Sequence, residues 1–109
     1  MKLWIDDVRP APDKAYFLAK SVNEAKKMII DAEKYSEIPR MLDCNFRFTL
    51  IDIDHDAGDF AWDGGDYIKL LDWLEETGRN YPIRIHSMNV VGVQNMRAII
   101  QRNGWKEIF

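Results

Sequence analysis

The rest of the chain is organised around the stretch Thr49–Gly58, Thr-Leu-Ile-Asp-Ile-Asp-His-Asp-Ala-Gly, in which an apolar run typical of a buried strand passes directly into a cluster of titratable side chains. Asp54, His55 and Asp56 follow the apolar run, and Gly58 opens a turn. Carboxylates and an imidazole at the end of a buried strand are costly to leave without partners. The stretch therefore predicts that these groups bind a cation or carry out chemistry.

Two further strand-like segments end in polar side chains. The N-terminal segment, Lys-Leu-Trp-Ile-Asp, ends in Asp6 and is followed by Asp7. A later segment that begins at Pro82 ends in His86 and is followed by Ser87. Three strands that each end in titratable groups predict one site, assembled at one edge of a sheet.

The pattern of apolar residues predicts strands that alternate with helices. Ser21 and Glu24 form a capping box before one helix, and Asn89 is placed to cap another that Gly104 ends. Such alternation is typical of a parallel sheet, in which ligands bind beyond the carboxyl ends of the strands. The predicted elements are strands over residues 2–6, 15–20, 47–53, 82–86 and 105–109, and helices over residues 22–36, 65–77 and from the Asn89 cap through 103, with a connector over 40–46.

Composition limits the classes of protein to which the chain belongs. Its 109 residues predict a single domain over 1–109, and a net charge of −3 with no block of Lys or Arg argues against a duplex-DNA partner. Cys44 is the only cysteine, which excludes an internal disulfide and favours a reducing compartment. Because there is also no signal peptide and no long apolar run, we expect a cytoplasmic protein without a membrane partner.

The acidic residues at the predicted strand ends favour a metal site. Asp6, Asp7 and Asp54 supply hard oxygen ligands, which suit Mg²⁺ or Mn²⁺. Without a cation, their mutual repulsion and burial would raise their pKa values. Asp56 has two equally weighted interpretations, as a further metal ligand or as a cap of the following loop.

The two histidines, His55 and His86, both lie at the predicted site edge. Imidazole suits acid–base catalysis near neutral pH, and it also binds softer metals such as Zn²⁺. We expect His55 to act as a ligand or base, and His86 to act as an acid or a phosphate donor. Together with Asp54, they form the predicted catalytic set.

Three further residues are candidates for binding phosphate. Arg9 suits bidentate binding of a phosphate group, although a surface salt bridge to Asp13 or another acidic residue is an almost equally weighted interpretation. Ser87 and Asn89 suit hydrogen bonds to phosphate oxygens, and capping the last helix is the simpler role for Asn89.

Two aromatic residues, Phe60 and Trp62, lie in the polar loop that follows the central strand. Their rings suit stacking on a nucleobase. The alternative is that they fold back over the edge of the core. The sequence leaves both interpretations open.

These motifs, taken in this order, resemble a response-regulator receiver domain. The resemblance is closer to the receiver-like domains proposed to process or bind cyclic phosphates, and it covers nearly the whole chain. It implies a three-layer flavodoxin-like α/β fold with a five-stranded, mainly parallel sheet. The matching segments are Trp-Ile-Asp-Asp-Val-Arg-Pro at 4–10, Asp-His-Asp at 54–56 followed by Gly58, and Ile-His-Ser-Met-Asn at 85–89.

The chain departs from signalling receivers at three places. Receivers carry a Lys just beyond the fifth strand, whereas Lys106 lies within the predicted last strand. The segment 8–14 contains two prolines and predicts a loop in place of the first crossover helix. Asp52 adds a carboxylate two residues before Asp54. These departures argue against a role in phosphorelay.

The resemblance implies a metal-dependent phosphoesterase that acts on a cyclic phosphate or a small nucleotide, with a divalent metal as cofactor. In this mechanism Asp54 either binds the metal or attacks phosphorus. A binding module that sequesters a cyclic nucleotide or phosphorylated signal is the second hypothesis. A degenerate phospho-accepting receiver is the third. In each case, the expected partner is a small phosphorylated ligand.

Overall fold

The computed structural model describes residues 1–36 and 47–109, so the predicted connector over 40–46 lies outside the described residues. No helix in the described part is long and apolar enough to cross a membrane. The elements are β1 (Lys2–Ile5), β2 (Tyr16–Ala19), α1 (Val22–Ser36), β3 (Leu50–Ile53), a 3-10 turn (Gly58–Phe60), α2 (Ile68–Glu76), β4 (Ile83–Ile85), α3 (Val90–Asn103) and β5 (Glu107–Ile108).

Every predicted strand and helix is present, and the differences lie at their ends. β3 begins at Leu50 rather than at residue 47, and α2 begins at Ile68 rather than at residue 65. Gly64 and Gly65 have φ values of 114° and 89°, which right-handed helix does not allow, so α2 cannot start there. β5 is only two residues long, so Lys106 precedes the strand instead of lying within it.

The five strands form one sheet in the order β2-β1-β3-β4-β5. All four pairings are parallel, so the sheet predicted as mainly parallel is parallel throughout. Ile5 pairs with Ile53, which pairs with Ile85. The residues that follow these three are Asp6, Asp54 and His86, and the register therefore brings them side by side at the carboxyl edge.

The three helices pack on one face of the sheet. Alternate strand residues such as Leu3, Ile5 and Ile53 point to this face, where they join one apolar cluster with the buried faces of the helices. The helical members of the cluster are Val22, Ala25, Ile29 and Ala32 of α1, Leu70, Leu71 and Leu74 of α2, and Met96, Ile99 and Ile100 of α3.

The opposite face of the sheet is built differently in the described part. The register aligns Trp4 of β1 with Asp52 of β3, which pairs with Arg84 of β4. The crossover from β1 to β2, residues 6–15, contains no helix, as the sequence predicted. The Trp4 indole Nε1 donates to the carbonyl of Arg9 in this loop at 2.9 Å. Loop and polar side chains therefore form the layer opposite the helices.

The N-terminus of α3 is fixed by the predicted cap. The Asn89 side-chain oxygen accepts a hydrogen bond from the backbone N–H of Gly92 at 2.9 Å, and Asn89 itself has extended backbone dihedrals. At the other end, Gly104 adopts the left-handed conformation with φ 66°. The cap sets where α3 begins relative to the end of β4, and so it fixes the segment Ser87–Asn89.

Replacing Asn89 with Ala removes this cap and leaves a helix-terminal N–H without its partner. We expect the free energy of unfolding to fall by about 1 kcal/mol. Urea denaturation measures it, and Asn89→Ser, which restores a capping oxygen, serves as the control. An Ala variant as stable as wild type would show that the cap does not hold this end of the helix.

Candidate metal and phosphate site

Three carboxylates meet at the carboxyl edge of β1 and β3. Asp6, Asp7 and Asp54 each offer one oxygen, and these three oxygens lie within 4.8 Å of one another. Asp6 and Asp54 are buried, and Asp7 is partly exposed. Oxygen-only ligands at this spacing are the donor set that Mg²⁺ and Mn²⁺ prefer. We call these residues the acidic trio.

Asp6 is the best-neutralised member of the acidic trio. Its Oδ1 accepts hydrogen bonds from the backbone N–H groups of Val8 and Arg9, both at 3.0 Å, and its Oδ2 contacts Nε2 of His86 at 2.9 Å. Burial raises the pKa of Asp6, but the bonds from Arg9, Val8 and His86 outweigh burial and leave the pKa below its ordinary value. Asp6 is therefore held as a carboxylate in one orientation.

Asp7 has the opposite electrostatic environment. Burial and the neighbouring carboxylates of Asp6 and Asp54 raise its pKa. Gly58 packs so closely that a Cβ there would overlap the Asp7 carboxylate, and its φ of 54° also favours glycine. The trio thus concentrates negative charge that the protein groups around Asp7 do not neutralise, so its donor set fits a divalent cation.

Asp54 is oriented by its own loop. Its backbone N–H donates to the carbonyl of Ile5 at 2.9 Å, which continues the β1–β3 ladder beyond the strand. Its Oδ1 accepts from the backbone N–H of His55 at 2.7 Å. The carboxylate is only 7% exposed, so both the backbone and the side chain are fixed beside the trio.

His86 is clamped between two buried carboxylates. Its Nδ1 lies 2.6 Å from Oδ1 of Asp52 and its Nε2 lies 2.9 Å from Oδ2 of Asp6. Ionised carboxylates only accept hydrogen bonds, so both contacts are satisfied when both ring nitrogens donate. The ring also stacks on Trp4, with centroids 3.8 Å apart and planes within 3°. With its side chain 9% exposed, His86 has no nitrogen left to offer to a ligand in this arrangement.

Asp52 is the residue to which the sequence assigned no role. It is fully buried on the face opposite the helices. It accepts from Arg84 Nη1 at 3.0 Å and from the Tyr16 hydroxyl at 3.4 Å, in addition to its contact with His86. The sequence could have indicated a role for Asp52, because side chains two residues apart in a strand point to the same face, and Asp52 therefore shares a face with Asp54.

His55 lies on the other side of the loop, against α3. Its Nδ1 is 2.7 Å from Oδ1 of Asp56, and its ring packs so closely on Gly92 that a Cβ there would overlap it. When Nδ1 donates to Asp56, Nε2 is the unprotonated nitrogen that accepts. Asp56 therefore lies outside the acidic trio and contacts His55.

Of the predicted phosphate-binding residues, Arg9 lies beside the trio. Its Nη1 donates to the carbonyl of His86 at 3.2 Å, its Nε is 4.0 Å from Asp6, and its side chain is 45% exposed. Asp13, the alternative partner, instead accepts from the backbone N–H of Ala15. Arg9 can thus turn its remaining N–H groups toward an anion.

Ser87 and Asn89 belong to the β4–α3 junction. The Ser87 hydroxyl accepts from the backbone N–H of Asn89 at 3.1 Å. The Asn89 side-chain oxygen caps the helix, and its Nδ2 donates to Oδ1 of Asp56 at 3.4 Å. The Ser87 hydroxyl proton is still available to a phosphate oxygen. Of the two aromatic residues, Trp62 is 81% exposed and does not fold over the core, whereas Phe60 is partly buried.

A comparison with known protein families identifies the family of this chain. Residues 1–102 match the family described as the cyclic-phosphate processing receiver domain. The chain belongs to this family. No curated protein and no solved structure matches the chain significantly. Membership supports a phosphate-related role for this cyclic-phosphate processing receiver domain.

Gly58→Ala tests the close packing against Asp7. We expect it to lower the free energy of unfolding by about 1–3 kcal/mol more than Gly104→Ala, because overlap with the carboxylate adds to the strain of a left-handed alanine. Gly104 is the matched control, since its φ of 66° is similar and no atom lies within 4 Å of its would-be Cβ. Chemical denaturation measures both variants, and equal losses would contradict the packing described here.

Asp52→Asn tests the buried network on the helix-free face. The change keeps the size of the side chain but leaves His86 and Arg84 facing a neutral group. We expect a loss of about 3 kcal/mol in the free energy of unfolding at neutral pH. Asp59→Asn removes an exposed charge and is the control. A loss as small as that of the control would show that Asp52 does not carry the network.

Proposed function

We propose that this cyclic-phosphate processing receiver domain is a metal-dependent phosphoesterase that hydrolyses a cyclic phosphate, such as a small cyclic nucleotide. The observation that carries the proposal is the acidic trio, three carboxylate oxygens within 4.8 Å at the carboxyl edge. Ligands bind at this edge in parallel α/β sheets. Family membership supplies the class of substrate.

In this proposal Asp6, Asp7 and Asp54 hold one Mg²⁺ or Mn²⁺. Their donor set is all carboxylate oxygen, which favours these ions over Zn²⁺. Both ring nitrogens of His86 contact carboxylates, and Nδ1 of His55 contacts Asp56. When bound, the cation neutralises phosphate charge and polarises the phosphoryl group. Burial and, after it, the neighbouring carboxylates raise the pKa of Asp7, and a bound cation would lower it.

The remaining groups of the site bind and orient the phosphate. The exposed guanidinium of Arg9 binds phosphate oxygens from outside the acidic trio, in the bidentate manner that guanidinium favours. The Ser87 hydroxyl donates from the β4–α3 junction. Both groups lie on segments fixed by hydrogen bonds, so little conformational freedom is lost when the phosphate binds.

We assign proton transfer to His55. Asp56 accepts from Nδ1 and fixes the ring, so Nε2 is free to take a proton from the attacking water. His86 instead positions Asp6, because both of its nitrogens contact carboxylates. Direct attack by Asp54 on phosphorus is the alternative route. One ring P–O bond would break, the released ring oxygen would take a proton, and the nucleoside would stay on phosphorus as an acyl-phosphate ester until water hydrolyses the acyl–phosphate bond.

A binder without turnover is the second candidate. Each histidine contacts a carboxylate. Such contacts are also expected in a rigid site that only binds a ligand, and they favour this second candidate. In that case, Arg9 and the acidic trio would bind the phosphate group and no product would be released.

Turnover separates the two candidates. The chain is incubated with Mg²⁺ or Mn²⁺ and with 2′,3′- and 3′,5′-cyclic mononucleotides or cyclic dinucleotides, and products are followed by ³¹P NMR and mass spectrometry. We expect a linear phosphate ester whose formation stops with EDTA and with Asp54→Asn. His55→Ala should lower the rate by about 10²–10⁴-fold while cation affinity changes little.

Three other outcomes would contradict the esterase or favour another function. Thermal stabilisation by a cyclic nucleotide without product would support the binder and contradict the esterase. Stable labelling of Asp54 by a small phosphodonor, lost in Asp54→Asn, would support a phospho-accepting receiver. Neither product nor stabilisation with any ligand would overturn both leading candidates.

A further inference from the structure

An exposed tryptophan projects from the loop that borders the acidic trio. Trp62 lies between β3 and α2 and is 81% exposed. It is accompanied by other exposed apolar side chains in the segments that follow the carboxyl ends of β1 and β4. These are Val8, Met88, Val90 and Val91. A charged centre with an apolar rim fits a ligand that has one charged part and one flat apolar part.

The loop over residues 57–66, which we call the Trp62 loop, is held in place on both sides of the indole. The Asp63 carboxylate accepts from the Ser21 hydroxyl at 2.6 Å and from the Asn23 side chain at 3.1 Å. The backbone N–H of Gly65 donates to the carbonyl of Ala61 at 2.8 Å. The residues that flank Trp62 are therefore fixed, and the indole is presented from a rigid support.

Both ends of the Trp62 loop border the acidic trio. At one end, Gly58 packs directly against the Asp7 carboxylate. At the other end, the Asp66 carboxylate accepts from the backbone N–H of Ala57 at 3.1 Å, so the two ends of the loop are joined next to Gly58. These contacts keep the indole at the margin of the proposed phosphate site.

A cation lies on the same margin. The Tyr67 hydroxyl donates to the carbonyl of Lys20 at 2.7 Å, which fixes the residue that follows β2. The Lys20 ammonium is 5.6 Å from the centroid of the Phe60 ring, within the same loop. An ammonium group and an indole beside a phosphate site are complementary to a nucleotide, whose phosphate is anionic and whose base has a flat π-face.

We propose that Trp62 is the base-stacking residue of this site, so that the ligand is a nucleoside cyclic phosphate with an intact base rather than a base-free sugar phosphate. This inference rests on the proposed function for the position of the phosphate. Stacking on indole is tolerant of base identity, and the larger purines gain more contact area than pyrimidines.

The test compares two classes of ligand and three variants of the full chain, with Mg²⁺ present. The ligands are adenosine cyclic monophosphates, as 2′,3′ and 3′,5′ isomers, and the matching base-free ribose cyclic phosphates. The variants are Trp62→Ala, Trp62→Phe and the control Tyr35→Ala. Tyr35 is an exposed aromatic residue in the last turn of α1, away from the acidic trio. Calorimetry gives dissociation constants, and KM replaces them for a ligand that is turned over.

We expect Trp62→Ala to weaken binding of the adenosine ligands by about tenfold or more, as for loss of one stacked base. Trp62→Phe should remain within about threefold of wild type, because it keeps an aromatic face. Tyr35→Ala should leave all affinities unchanged, and base-free ligands should bind every variant equally. Because Trp62 is exposed, its replacement should not impair folding.

The inference is overturned if Trp62→Ala binds adenosine ligands like wild type, if it weakens both ligand classes equally, or if wild type binds no adenosine ligand. Trp62-dependent self-association in sedimentation, with unchanged nucleotide affinity, would overturn it in favour of a protein contact. Trp62-dependent binding without turnover would contradict the esterase alone, and turnover indifferent to Trp62 would contradict the base subsite alone.

Discussion

The structure depends on contacts that compensate the repulsion among four carboxylates on two adjacent strands. Asp52 and Asp54 belong to β3 and its end, and Asp6 and Asp7 follow β1, so the parallel register brings them together. His86 lies between Asp52 and Asp6 and contacts both carboxylates, and backbone N–H groups hold Asp6. Asp7 lacks a comparable set of donors, and burial and the nearby carboxylates raise its pKa. This is the position at which we propose a cation.

The same arrangement explains the face without a helix. An apolar face would require a helix to cover it, but here Asp52, Arg84 and His86 satisfy one another by hydrogen bonds, and Trp4 covers the imidazole. In the described part, the short loop from β1 to β2 is then sufficient to cover this face of the sheet. Its backbone also binds Asp6, so the reduced crossover contributes directly to the acidic trio.

Much of the fold followed from the sequence because strand ends, caps and prolines act locally. The loop after β1 and the Asn89 cap were predicted from residue types alone, and both are present. The roles of individual side chains were harder to predict, because they depend on which partner lies across the sheet. Asp56 is next to the trio in sequence but turns to His55, and only the register reveals that Asp52 reaches His86.

Cation binding is tested by a titration with Mn²⁺ at neutral pH, followed by electron paramagnetic resonance of the free ion. We expect one bound ion per chain, displaced by Mg²⁺, with binding weakened at least tenfold in Asp7→Asn although that variant remains folded. Absence of binding to wild type at millimolar Mn²⁺, or equal binding by Asp7→Asn, would contradict the claim that the acidic trio is a cation site.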